Sequence, residues 1–198
     1  MDWKEQVKYL EQEGSFDVAI FVLEKEIKKS PDNLDAYIFL LYRFMDLFLE
    51  NVCYWANSQD PLREIKSEYY DEKKWQYVPS VQKCFDESYA RFADNPEYLY
   101  YASKIVIQFY WYIDLKVDDT LIDAMYEKAK VSGYNSVLEQ KYPNDPNNII
   151  WATNILNDPS IQEQLATKGA AAEYVFGGEV SWAKQVLEGA HKDKAENK

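Results

Sequence analysis

Carboxylates are the chemistry-bearing groups that recur at useful spacing in this chain. Glu64, Glu68, Asp71 and Glu72 form one group; Asp114, Asp118, Asp119 and Asp123 form another. Steps of four bring side chains to one face of a helix. Such a face can do acid–base work, hold a divalent cation or receive a cationic protein surface, and it is equally the pattern of an ordinary solvated helix face. Other ingredients of catalysis are scarce. The single histidine, His191, is remote from both groups in sequence, which disfavours a histidine-based nucleophile, proton relay or metal cluster. Cys53 and Cys84 stand 31 residues apart, outside metal-ligand spacing, in apolar surroundings where a free cysteine behaves as a small hydrophobe. Gly177-Gly178 reads as a turn between helices and not as a phosphate-binding loop. The expectation is a non-enzymatic protein with no cofactor and no metal.

The totals point the same way. A net charge of −12 repels phosphate backbones, so nucleic acid is an unexpected partner and a protein with a basic surface an expected one. Hydrophobic residues at 47% and charged residues at 28% fit a packed soluble protein and not a disordered one. No stretch reaches the roughly 18 uncharged apolar residues of a membrane helix; the richest, residues 105–113, is too short. The opening Met1-Asp2-Trp3-Lys4-Glu5 has no signal-type apolar run, and two unpaired cysteines suit a reducing compartment, so the expected location is cytoplasmic.

Helices must position these groups. Only 6 glycines and 7 prolines interrupt the chain, and apolar residues recur at helical steps. Trp3, Val7 and Leu10 mark one face of a helix over residues 2–13, which Gly14-Ser15 ends. Phe16, Ala19, Ile20, Leu23 and Ile27 mark a second, over 16–29, closed by Ser30-Pro31. A third starts near Leu34 and is expected to reach Ala56, before a loop from Asn57 to Pro61. Further helices are expected over 62–75, from Val78-Pro79-Ser80 to Ala93, over 98–115 and over 119–131. Residues 134–142, 148–156, 159–176 and 179–192 follow, with a break at 143–148. The fold class is all-α, with about ten helices. One domain is expected over 1–192, with a frayed polar tail over 193–198.

Two segments share a pattern. Gly14-x-Phe16-x-x-Ala19-x-x-x-Leu23 returns as Gly178-x-Val180-x-x-Ala183-x-x-x-Leu187. With Trp3, Val7, Leu10, Ile20 and Pro31 at matching offsets, the first unit resembles the tetratricopeptide repeat, a helix–turn–helix module. Tyr37, Leu40 and Phe44 stay in phase, Tyr37 lying 34 residues after Trp3. The pattern then departs, with Phe48-Leu49 where a second turn belongs. It resumes weakly at residues 81–93, with Cys84 at the small position, and again with Ala171 and Tyr174 ahead of Gly178. The resemblance implies an irregular solenoid of antiparallel helix pairs that binds proteins.

It also implies a groove lined by the first helix of each pair: Lys4 and Lys8, then Ile38, Phe39, Tyr42 and Met45, then Tyr100, Lys104, Tyr110 and Trp111. The alternative for each aromatic is core packing beneath the insertion at 57–78. Lys8 and Phe39 stand where the family's carboxylate-clamping members need asparagine, which disfavours a receptor for chaperone tails. Protein-binding candidates are therefore Lys4, Lys8, Phe39, Tyr42, Tyr100, Lys104, Tyr110 and Trp111, with Glu64, Glu68 and Asp71 facing a basic partner. Charge and architecture together suggest an immunity protein that neutralises a basic toxin by covering it. An adaptor or secretion chaperone holding an extended segment is the alternative, and a helical enzyme using carboxylates is a third.

Overall fold

The computed structural model describes residues 2–49, 61–133 and 149–196 and is all-α, with no strand among the described residues. These residues fall in two compact units, within Met1–Ser132 and within Gly133–Lys198.

In the first unit, α1 (Trp3–Gln12) opens with a capping box. The Asp2 carboxylate accepts from the Glu5 amide at 2.9 Å, and the Glu5 carboxylate accepts from the Asp2 amide at 3.3 Å. It ends with the Ser15 amide on the Leu10 carbonyl (2.8 Å) and the Gly14 amide on the Glu11 carbonyl (3.0 Å). Gly14 has φ 64°, a left-handed turn that favours glycine, and α2 (Phe16–Lys29) packs back on α1. Asn33 caps α3 (Leu34–Leu49) through the Ala36 amide at 3.3 Å. Almost every side of α3 is apolar and buried, as befits a central helix. It packs on α2, on α5 (Val78–Phe92) and on α6 (Pro96–Val106), and α6 packs on α7 (Asp119–Val131). Between α3 and α5 come α4 (Arg63–Lys73) and a 3-10 turn, Lys74–Tyr77.

A buried cation ties the first three helices together. The Arg43 guanidinium on α3 is 3.2 Å from Glu11 on α1, pairs with Asp46 one turn on, and stacks 4.6 Å from the centre of the Phe16 ring on α2. Burial raises the Glu11 carboxyl above its ordinary range, and the Arg43 charge opposes that rise.

The inserted α4 is locked onto the first turn. The buried Tyr70 hydroxyl donates to the Asp17 carboxylate (3.0 Å) and the Gly14 carbonyl (3.1 Å), and its ring packs 5.3 Å from Phe16. Lys73 adds a 2.9 Å ion pair to Asp17. Burial by itself raises the Asp17 carboxyl. Hydrogen bonds from Lys73 and Tyr70, the Lys73 charge and the Val18 amide outweigh it and leave the group below its ordinary value.

The chain departs from the sequence expectations in three places. The helix expected over 98–115 stops at Val106. Residues 107–114 form successive tight turns, with Asp114 at φ 51°. Ile105-Val106-Ile107 and the following aromatics are weak helix formers, and the turns let Phe109, Ile113 and Leu115 point inward. The second acidic ladder consequently does not exist as a helix face. Asp114 lies in the turn, Asp118 caps α7 through the Leu121 amide at 2.8 Å, and only Asp119 and Asp123 share the helix.

The third departure lies in the second unit, which comprises α8 (Ile149–Asn157), α9 (Pro159–Lys168) and α10 (Ala170–Glu196). Here α10 runs unbroken through Gly177-Gly178, so the expected turn there is absent. The chain turns instead at Gly169, with φ 51°. Ala172, Phe176, Val180 and Ala183 are buried at steps of four and three, a continuous helical stripe that carries the helix across the glycines. The expected helix over 134–142, the break at 143–148, Cys53 and the stretch from 50 to 60 lie outside the described residues.

Removing one partner of a buried ion pair strands the others, so Arg43→Ala is expected to cost about 3–5 kcal/mol in urea unfolding. A matched change of Arg43→Met, Glu11→Gln and Asp46→Asn should recover most of that; a single-variant cost below about 1 kcal/mol would show the charges are not coupled. Asp17 has its folded-state pKa below the unfolded one, so its contribution is complete above the ordinary Asp range and lost as pH falls through the folded value. Glu11, shifted upward, works oppositely and loses its contribution as pH rises through its own folded value. Asp17→Asn should therefore flatten the fall in urea midpoint below about pH 4, relative to the parent chain.

Candidate functional site

Most of the expected groove is closed by the protein's own packing. Ile38 and Met45 are fully buried, and Phe39 is 7% exposed, edge-on to Trp3 at 5.4 Å. Lys4 lies over both rings, 5.5 and 5.8 Å from their centres, and bonds Asp35 at 2.5 Å. Tyr42 is half-buried beside the Arg43 guanidinium (5.7 Å), while Lys8 is exposed. On α6, Tyr100 is 1% exposed, packed on Tyr101 and Tyr126, and Lys104 sits 4.5 Å over the Tyr126 ring. Phe39 and Tyr100 thus present no surface to a partner: they complete the core, and cations cap the rings around them.

The exposed aromatics gather elsewhere. Phe48 at the end of α3 is buried, with Phe109 stacked on it at 6.2 Å. Trp75 in the 3-10 turn and Tyr112 cover this pair edge-on, at 5.9 and 6.4 Å from Phe48 and 5.4 Å from each other. Trp111 stands edge-on to Tyr112 at 5.8 Å. The outer three rings remain in contact with solvent: Trp111 is 65% exposed, Trp75 48% and Tyr112 37%. Three touching, exposed rings anchored on a buried pair make a rigid apolar surface, unlike isolated exposed apolar residues, which are common.

Charge surrounds these rings. The buried Lys74 ammonium lies 5.8 Å from the Trp75 ring centre and 5.9 Å from Tyr112, and pairs with Asp71 at 2.8 Å. Glu68, Asp71 and Trp75 follow at steps of three and four, so α4 and the 3-10 turn bring carboxylates and indole along one stripe. Glu64, Glu68 and Glu72 are exposed. Beside Trp111, the Tyr110 hydroxyl donates to Asp119. That bond raises the phenol's pKa, helped by desolvation and by the charges of Asp119, Asp118 and Asp123.

Of the residues expected at a site, the structure joins Trp111 and Asp71 to this surface through Tyr112 and Lys74. It places Lys4 and Phe39 together at a different, closed face, and Tyr42 half-buried beside Arg43. Trp75, Tyr112 and Lys74 were missed. The signal for Trp75 was present, because it continues the Glu68–Asp71 spacing.

Other chemistry is limited. A cleft of about 870 Å³ between α2 and α5 has Tyr37, Leu40 and Cys84 in its lining, with Glu24, Lys83 and Glu87 around them. Burial pushes the Cys84 thiol far upward, and Glu87 and Glu24 add to this, so it keeps its proton near neutral pH. No group of three His, Cys, Asp or Glu side chains among the described residues could hold a metal ion, and no described helix is long and apolar enough to cross a membrane. No family model matches the chain, and no curated protein or solved structure shows significant similarity to it.

The contrast between closed face and open rings is measurable. Trp111→Ala is expected to change unfolding stability by no more than about 0.5 kcal/mol. Phe39→Ala should cost about 3–5 kcal/mol in the same urea titration. Equal costs would mean that Trp111 is a core residue.

Proposed function

We propose that the chain is a non-enzymatic protein-binding module of TPR-like build, acting as an acidic immunity protein that neutralises a basic toxin by direct binding. The observation that carries this reading is the exposed Trp75–Tyr112–Trp111 surface beside the carboxylates of α4, in a chain of net charge −12. Tryptophan and tyrosine are the residues most enriched at energetic centres of protein interfaces. A strongly negative field accelerates encounter with a basic partner and disfavours acidic ones.

The order of helix neighbours supports the TPR-like part of the proposal. Each of α1, α2 and α3 packs on its successor or on the next pair, α3 packs on α6, and α6 on α7. In this reading α1–α2, α3–α5 and α6–α7 are three helix pairs. The segment holding α4 and the 3-10 turn is an insertion into the second pair, and it supplies the binding surface. An adaptor or chaperone for an extended segment would need an open groove along α1, α3 and α6. Buried Ile38, Phe39, Met45 and Tyr100 leave that groove no accessible floor.

The test is association of the full chain with the product of the neighbouring gene, which this reading requires to be a basic protein, followed by surface plasmon resonance across a salt series. The association rate is expected to fall about tenfold between about 50 and about 200 mM salt. Joint Glu68→Lys and Glu72→Lys should lower it several-fold at low salt while leaving the dissociation rate nearly unchanged. A salt-independent rate, indifferent to both reversals, would sink the reading.

A further inference from the structure

The aromatic surface has a chemistry of its own, and resting on the proposal above we infer that it selects arginine side chains of its basic partner over lysine. The protein repeatedly places cations on its own rings. Lys4 lies over Trp3 and Phe39, Arg43 over Phe16 and Tyr42, Lys73 over Tyr69, and Lys104 over Tyr126. The same holds for Trp75 and Tyr112, which share the buried Lys74 ammonium. Lys74 is buried while Trp75 is 48% and Tyr112 37% exposed, so both rings combine a buried cation with area open to solvent. Trp111 has no cation over it among the described residues, and it is the most exposed of the three.

Two features favour a guanidinium for this open area. The first is shape. Trp75 and Tyr112 lie 5.4 Å apart and are inclined by only 35°, so they overlap as an offset pair, an aromatic plate part of which is open to solvent. A planar guanidinium stacks on such a plate, whereas a lysine ammonium is compact and strongly hydrated and loses more water to reach it. The second is the Asp71 carboxylate, joined to these rings through Lys74. Asp71 Oδ1 accepts a hydrogen bond from the Lys74 ammonium, while Oδ2 accepts nothing from the described residues and the side chain is nearly half exposed. An arginine can lie on the ring and donate sideways to that oxygen in one posture, because its donors lie in the plane of the group. Glu68 and Glu72 add the charge that draws the cation in.

The test uses the full chain and two blocked peptides of equal charge, hexa-arginine and hexa-lysine, titrated by calorimetry. Indole Nε1–H resonances of uniformly ¹⁵N-labelled protein report the site. Hexa-arginine is expected to bind about tenfold more tightly than hexa-lysine and to shift the indole signals that disappear in Trp75→Ala and Trp111→Ala. Joint Trp75→Ala and Trp111→Ala should reduce the preference to within about twofold, while hexa-lysine binding persists through the acidic face. Phe39→Tyr, at the closed face, should retain the parent preference. Equal affinity of the two peptides for the parent chain would overturn the arginine inference and leave the basic-partner proposal standing. A preference that survives loss of both tryptophans would also overturn it, since the selecting site would then lie elsewhere. Failure of both peptides to bind would overturn both readings together. Binding of the parent to neutral phospholipid vesicles, with the same indole shifts and no peptide response, would identify the plate as a lipid-contacting surface instead.

Discussion

The Arg43 guanidinium is the constraint around which the first unit is arranged. One permanent positive charge at the centre of three helices cannot be left alone in an apolar interior, and it is met on each side by a group suited to it. Glu11 comes from α1, Asp46 from the next turn of α3, and the face of Phe16 from α2. Each contact fixes a helix in rotation as well as distance. Sliding α1 by one residue, for example, would carry Glu11 off the cation and strand both charges. Apolar packing between α1, α2 and α3 tolerates small slips; the buried charge does not. The arrangement exchanges some stability for a unique register, because burial works against the charge of the Glu11 carboxylate and the Arg43 charge only opposes that effect.

How much of this was legible in the sequence depends on how local the cause was. Gly14 was readable because everything that makes it a turn is nearby: a left-handed glycine, the Leu10 and Glu11 carbonyls it helps satisfy, and a new apolar stripe starting at Phe16. Gly178 carries the same offsets and is not a turn, because the stripe from Ala172 to Val180 keeps one helical phase across it. Two glycines in a helix cost about 2 kcal/mol together, less than the burial of Phe176 and Val180 returns. The pattern shared by the two segments was therefore real as a packing pattern of small and large residues. It did not fix the backbone.

The site was less legible than the fold. Aromatic residues at 98–113 read as one helix, and periodicity alone does not reveal where such a helix stops. Ending at Val106 separates them into two classes: Tyr98, Tyr100 and Tyr101 in the core, and Trp111 and Tyr112 outside. In the core class, the Tyr98 hydroxyl is bonded to Ser88 at 2.7 Å. The outer class meets Trp75, which is distant in sequence, so their juxtaposition follows from how the turns after α6 meet the turn after α4. The acidic spacing on α4 was visible, since α4 is a regular helix. The second ladder was not one, because a left-handed Asp114 and an N-capping Asp118 break its phase.

The bond from Tyr70 to the Gly14 carbonyl spans 56 residues. Stacks of helix pairs ordinarily fold by nearest neighbours, each pair completing itself once it exists. Here the first turn is completed only by a residue that arrives long after the helices on either side of it. The gain from the Tyr70 and Lys73 contacts comes only after a long loop has been closed. During synthesis, α1 and α2 therefore emerge as a pair that lacks its lock, with Asp17 still in water. The Tyr70 and Lys73 contacts to the first turn form only when α4 has left the ribosome and docks. Docking of α4 thus adds its contacts to the first turn only after the helices on either side of that turn have been made.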